Sequence, residues 1–258
     1  VLGVPDLMIR AGGVTVSPSP IRDRETTVSA TVTNYGDGTT SAFNVSFYEG
    51  DVLISTSNVS NLPKGQSSTV SITWTPAVPG LITIVVIVDE EDAITEADKD
   101  NNVIETRVTV ADYPDLVAID LSFIINGKAG NKANLNDTVQ IMAVIYNNGE
   151  SSASGFDVVF KMNESVIGVV PVAHLAVQGT TTVGIYWDPS TMTSISQLNQ
   201  LNIIAVVNPP TDPAYTHVPE MDDPTNDNNR ASQILEVKDN RPDIAVTGIT
   251  VSSNNVNV

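Results

Sequence analysis

The densest gathering of chemistry-bearing side chains is DEEDAITEADKDNN, which runs from Asp89 to Asn102. Asp89, Glu90, Glu91, Asp92, Glu96, Asp98, Asp100 and Asn101 place eight oxygen-bearing side chains there, before Asn102 is counted. Calcium takes about six to eight oxygens at tolerant geometry. That many like charges would also repel one another without a cation. A later stretch offers Glu220, Asp222, Asp223, Asn226, Asp227, Asn228 and Asn229. Asp89, Asp98 and Asp100 in the first stretch, and Asp222 and Asp227 in the second, are the expected calcium ligands. Asp and Asn also shape turns by bonding nearby backbone amides, and no DxDxDG loop is present. Bound calcium and bare turn chemistry therefore stand side by side, and no other cofactor is expected.

Catalysis finds little to work with. His174 and His217 are the only histidines, cysteine is absent, and neither a GxSxG elbow nor an HExxH pair occurs. That leaves no thiol nucleophile, no thiolate metal site and no zinc cluster. Phosphate-cradling GxGxxG and GxxxxGK[ST] loops are missing too. A pair of carboxylates across a cleft could hydrolyse glycosides, but small sandwiches with short loops rarely offer such a cleft. An enzyme is not expected.

Composition narrows the partners. Twelve Lys and Arg stand against 30 Asp and Glu, a formal net charge of -18, so nucleic acid would be repelled over most of the surface. The most apolar stretch, LITIVVIV from Leu81, is short, β-branched and stopped by DEED, so no segment here is expected to insert in a membrane. No basic-then-apolar start with a small-residue cleavage site occurs, so any export signal is expected to have been removed or to lie outside this sequence.

The elements that must position these residues come in duplicate. Asn34 and Asn147, Phe43 and Phe156, Phe47 and Phe160, Leu62 and Leu175, Trp74 and Trp187, and Pro76 and Pro189 are each 113 positions apart. Past the tryptophans the offset grows by about 14 residues, around STMTSISQLNQ and PPTDPAYTHVP, both loop-like. The expected units are residues 1–111, residues 112–239 with longer loops, and residues 240–258, which repeat only an opening strand. Length agrees, since 258 residues comfortably hold two cores.

Within each copy, apolar residues alternate or run short between Gly, Pro, Asn and Asp, without a helical period. Seven strands are predicted in the first copy, at 6–16, 26–34, 42–48, 52–57, 67–74, 81–89 and 102–110. Seven more are predicted at 115–125, 137–146, 156–162, 165–170, 180–187, 202–207 and 231–237. The fold class is all-β: tandem immunoglobulin-like, seven-stranded β-sandwiches held without disulfides. Val28, Ala30 and Val32 should share one inward face, as should Phe43, Val45 and Phe47. Trp74 and Trp187 should fill the two cores.

The order of landmarks, a PDL opening, a V.N.G turn, an F.V.FY.G strand, an L..G turn, W.P and then IVVIVDEEDAITEADKDNN, resembles the CARDB domain, the cell-adhesion-related domain of bacteria and archaea. The resemblance covers nearly the whole chain and is closer in the first copy. It implies immunoglobulin-like sandwiches in tandem, in extracellular or envelope proteins of prokaryotes, often adhesins, with no shared catalytic residues. The expected function is a non-enzymatic structural or adhesive module: a stalk, a surface-layer piece or a filament subunit. The alternative is a glycan- or protein-binding module that uses the long loops at 190–199 and 209–219.

N-glycosylation sequons start at Asn44, Asn58, Asn136 and Asn163. Asn44 is expected on the outward side of its strand and the other three in turns, where a surface glycan could sit. Residues 242–258 suggest either the start of a further repeat or a strand donated head to tail to another copy. Expected partners are therefore the chain itself, or other surface proteins and glycans.

Overall fold

A computed structural model describes residues 3–192, 200–209, 214–220 and 227–240. In the first copy the strands are β1 (Leu7–Met8), β2 (Val14–Ser17), β3 (Thr26–Asn34), β4 (Phe43–Glu49), β5 (Val52–Val59), β6 (Ser67–Trp74), β7 (Gly80–Val88) and β8 (Val103–Val110). β3 pairs with β6 and with the short pieces β1 and β2, while β5, β4, β7 and β8 lie side by side in a second sheet. All these pairings are antiparallel.

The second copy repeats the plan with β9 (Leu116–Ile125), β10 (Lys128–Ala129), β11 (Lys132–Asn134), β12 (Val139–Asn147), β13 (Phe156–Met162), β14 (Ser165–Val172), β15 (Thr180–Trp187), β16 (Gln200–Val207) and β17 (Arg230–Lys238). Its sheets run β10-β9-β12-β15 and β11-β17-β16-β13-β14, with β11 parallel to β17. Immunoglobulin-like sandwiches are thus present in tandem, although the strand count differs from seven. In the first copy the expected 6–16 strand is broken by a turn in which Gly13 N–H donates to the Arg10 carbonyl at 2.8 Å. Gly12 there adopts φ +80°, which a residue with a Cβ resists. In the second copy β10 and β11 are additional short pieces.

Alternation does the sorting between core and solvent. Along β3 the inward positions are Thr26, Val28, Ala30, Val32 and Asn34, and along β12 they are Val139, Ile141, Ala143, Ile145 and Asn147, all buried. Phe43, Val45 and Phe47 face them from β4, and Trp74 and Trp187 are buried in their respective cores. The Trp74 indole N–H reaches Glu49 Oε2 at 3.0 Å, so its polar edge keeps a partner while the ring is buried. The outer face of β3 and β6 carries hydroxyls instead. Ser29–Ser71, Thr31–Thr69 and Thr33–Ser67 pair across the strands at 2.7–2.8 Å.

The joint between copies is tied at both ends. Arg22 N–H donates to the Ala111 carbonyl at 2.9 Å and Ala111 N–H to the Pro20 carbonyl at 3.0 Å. The Arg22 guanidinium lies 5.2 Å from the centre of the Tyr113 ring and 3.6 Å from Asp112, and the Tyr113 hydroxyl donates to Asp23. On the other side, Asp112 N–H donates to Glu150 Oε2 at 3.0 Å.

Candidate functional site

The repeated PDL opening marks the place where chemistry gathers. In each copy the Asp and Leu backbone N–H groups of this opening go to side chains. Asp6 N–H donates to Asn34 Oδ1 at 3.1 Å and Leu7 N–H to Glu96 Oε2 at 2.5 Å. Asp115 N–H donates to Asn147 Oδ1 at 3.3 Å and Leu116 N–H to Glu220 Oε2 at 2.8 Å. The preceding proline has no N–H to place.

Asn34 and Asn147 are fully buried and fully bonded. Asn34 Oδ1 also accepts from Gly36 N–H at 3.0 Å, and its Nδ2 donates to the Gly38 and Leu62 carbonyls at 2.7 and 2.9 Å. Asn147 does the same with Gly149 N–H at 3.1 Å and with the Ser151 and Leu175 carbonyls at 2.9 and 3.3 Å. One amide thereby joins the opening strand, the V.N.G turn and the L..G turn. The glycine is required by space, since a Cβ on Gly36 would lie 2.4 Å from Asp6 N and one on Gly149 2.3 Å from Asp115 N.

Opposite this amide lies a clasp of acids and amides. Glu96 comes from the β7–β8 connection and accepts from Asn102 Nδ2 at 2.8 Å, while Asn101 Nδ2 donates to Asp6 Oδ1 at 3.0 Å. In the second copy Asn229 Nδ2 donates to Glu220 Oε1 at 2.8 Å and Asn228 Nδ2 to Asp115 Oδ1 at 3.0 Å. Asn208 Nδ2 also reaches Glu220 Oε1. Burial raises the pKa of both glutamates; hydrogen bonds oppose the rise, and neighbouring Asp89 and Asp6 (for Glu96) or Asp115 (for Glu220) add to it. Asp89 and Asn208 fill one position in the two copies. Both have positive φ and donate N–H to equivalent carbonyls, of Asn44 at 2.8 Å and Asp157 at 2.9 Å.

The expected calcium ligands are spread out. Asp89 is buried and its two oxygens accept from the N–H groups of Ala93 and Ile94 at 3.0 and 2.8 Å, as a turn-former does. Asp98 and Asp100 are exposed, with Asp98 Oδ1 accepting from Asp100 N–H at 3.0 Å. Asp222 and the side chain of Asp227 lie outside the described residues. Among the described residues no three His, Asp or Glu side chains gather as a metal-holding group. The residues that do converge, Asp6, Glu96, Asn101, Asn102 and their counterparts, were signalled by the repeated PD and NN pairs.

The sequons fall in varied settings. Asn136 and Asn163 are exposed in turns, but Asn58 stands on β5 rather than in a turn, and its amide donates to Asn44 Oδ1 at 3.0 Å. Asn44 is half-buried on β4. His174 and His217 are both exposed, and His174 Nδ1 lies 3.1 Å from Ser154 Oγ. The 190–199 and 209–219 loops lie partly outside the described residues, and 242–258 wholly so.

Sandwich, buried amide and clasp together define a tandem immunoglobulin-like repeat whose units each fasten their own opening strand. The chain belongs to the CARDB family, whose sequence profile matches residues 4–106 and 114–230. This is a cell-surface, adhesion-type family rather than an enzyme family. No curated protein matches the chain. Among solved structures, the CARDB domain of a Pyrococcus furiosus protein in complex with di-metal ions is 24% identical, covering 42% of this chain and 89% of its own, with a TM-score of 0.37. A 272–376 domain from Methanosarcina acetivorans, described as from a cell surface protein, is 28% identical over 42% of this chain and 92% of its own, TM-score 0.36. Part of a 1.5-MDa bacterial ice-binding adhesin is 14% identical over 93% of this chain and 65% of its own, TM-score 0.39. In the described residues no helix is long and apolar enough to cross a membrane.

Proposed function

We propose that this chain is a non-enzymatic structural and adhesive segment of a prokaryotic cell-surface protein, serving as a spacer that holds other parts away from the cell. The observation behind this reading is the tandem duplication of one fastening scheme, with a short joint tied to both units. Each opening strand is held by the same two side chains, Asn34 and Glu96 or Asn147 and Glu220. A ligand-binding enzyme would concentrate its unusual groups in one cleft. Here they are repeated where strands must be held.

Negative-stain microscopy of the purified chain, beside a version lacking residues 242–258, tests this. Two-lobed particles with a narrow lobe-to-lobe distance are expected. Filaments that vanish with the deletion would extend the reading to a head-to-tail polymer subunit. A broad distance distribution would overturn the spacer. So would saturable glycan or protein binding that is lost when the 190–199 and 209–219 loops are shortened, which would mark a binding module.

A further inference from the structure

The described residues contain six buried side-chain atoms without a hydrogen-bond partner. Four of them are the Oδ1 atoms of Asn101, Asn102, Asn228 and Asn229. Asn102 is 7% exposed and Asn229 3%. Leaving such an acceptor bare is unfavourable. This protein does not do so at its other fully buried asparagines, since Asn34 and Asn147 use both ends of their amides. The four bare amide oxygens all belong to the two clasps, at equivalent positions of the two copies, whereas the remaining two atoms, Arg22 Nε and Ser151 Oγ, lie outside them.

Turning the amides over does not help. Each Nδ2 already donates to a carboxylate: Asn101 to Asp6, Asn102 to Glu96, Asn228 to Asp115 and Asn229 to Glu220. A flip would set amide oxygen against carboxylate oxygen and leave the nitrogen without its acceptor. In each clasp, then, two carboxylates and two amide oxygens have more lone pairs than donors to fill them, and the excess is all hard oxygen. The partner that suits such a set is a positive charge without directional demands. Magnesium requires near-octahedral geometry and keeps its waters, whereas calcium accepts irregular sets of carboxylate and amide oxygens.

We propose that each clasp is a calcium site, formed in the first sandwich by Asp6, Glu96, Asn101 and Asn102 and in the second by Asp115, Glu220, Asn228 and Asn229. The cation draws together the opening strand and the connection that precedes the closing strand, and it fills the bare amide oxygens. These residues differ from the ligand set expected from sequence, Asp89, Asp98 and Asp100 in the first copy and Asp222 and Asp227 in the second. Calcium binding also stands apart from the spacer reading, because an isolated chain binds calcium or does not, whatever it adheres to.

Calorimetric titration of calcium chloride into the chelator-treated full chain, with melting curves alongside, tests the site. Two ions per chain are expected, with a melting temperature about 5 °C higher in excess calcium than in chelator. Glu96→Gln should remove the ion of the first sandwich and Glu220→Gln that of the second, while Asp98→Asn with Asp100→Asn should leave both. Absence of binding heat together with an unchanged melting temperature in the unaltered chain would overturn the proposal and leave the oxygens to water. Binding that survives both glutamine substitutions, or that is lost with Asp98 and Asp100, would overturn it as well. The titration of the unaltered chain decides the matter even if a variant fails to fold.

Discussion

At the residue scale, the most consequential side chains are polar. Asn34 sits in the core at the end of a run of inward valines and alanines, yet none of its hydrogen-bonding capacity is wasted. Asn34→Ala would take the side-chain partner from the Asp6 and Gly36 N–H groups and from the Gly38 carbonyl, while the Leu62 carbonyl keeps the Thr40 N–H, so a loss of roughly 3 kcal/mol is expected in urea unfolding. Glu96 and Glu220 offer a different test. Burial raises both above the ordinary carboxylate range. Their contribution is therefore fully present below the unfolded-state value and is lost as pH rises through the folded-state value. In chelator, the urea midpoint of the Glu96→Gln, Glu220→Gln variant should gain on the parent as pH climbs from about 4 to 7. A constant difference would mean that the two carboxylates titrate as they do in the unfolded chain.

At the scale of elements, strands and inward faces were legible because a two-residue period leaves an unambiguous trace in Val28-Ala30-Val32 or Phe43-Val45-Phe47. The break at Gly12 and Gly13 was not. Two glycines can turn a chain or merely loosen a strand, and only the way β1 and β2 pair with β3 decides between them. The clasp was half visible. Acid-rich text drew attention to Asp98 and Asp100, which face solvent, whereas Asp6 lies 95 positions from its partner Asn101 and comes to it only through sheet pairing. Which acidic side chains are buried against the opening strand and which face solvent is decided by the sheet pairing, and sequence does not report it for loop residues. Two expectations belong to this scale. Gly149→Ala drives a Cβ into the backbone of the opening strand and should cost about 2 kcal/mol or more by urea unfolding, mainly in the second sandwich. Trp74→Ala opens a cavity in the first core and should cost about 3–5 kcal/mol there.

For the whole molecule, duplication was plain from the 113-residue offset, but the fastening of the joint was not, since it depends on Arg22 reaching across to Asp112 and Tyr113. Arg22→Ala should widen the lobe-to-lobe distribution seen by microscopy while leaving the unfolding of each sandwich nearly unchanged. The position of each clasp also bears on mechanics. The chain enters the first sandwich at β1, in the sheet of β3, and leaves it from β8, in the opposite sheet. Tension along the chain therefore tends to part the two sheets, and within its own sheet the opening segment is held by the Leu7–Asn34 and Met8–Thr33 pairs and by the Tyr35 and Asp37 N–H groups, which donate to the Asp6 and Val4 carbonyls at 2.7 and 2.8 Å. The β7–β8 connection bridges that gap. Glu96 grips Leu7, and Ala97 N–H donates to the Pro5 carbonyl at 2.9 Å. The second sandwich repeats the bridge from Glu220 to Leu116. A pulling force is thus passed from one sheet to the other inside each unit, so β1 and β9 are not peeled away, and every repeat added to such a chain would bear load on its own.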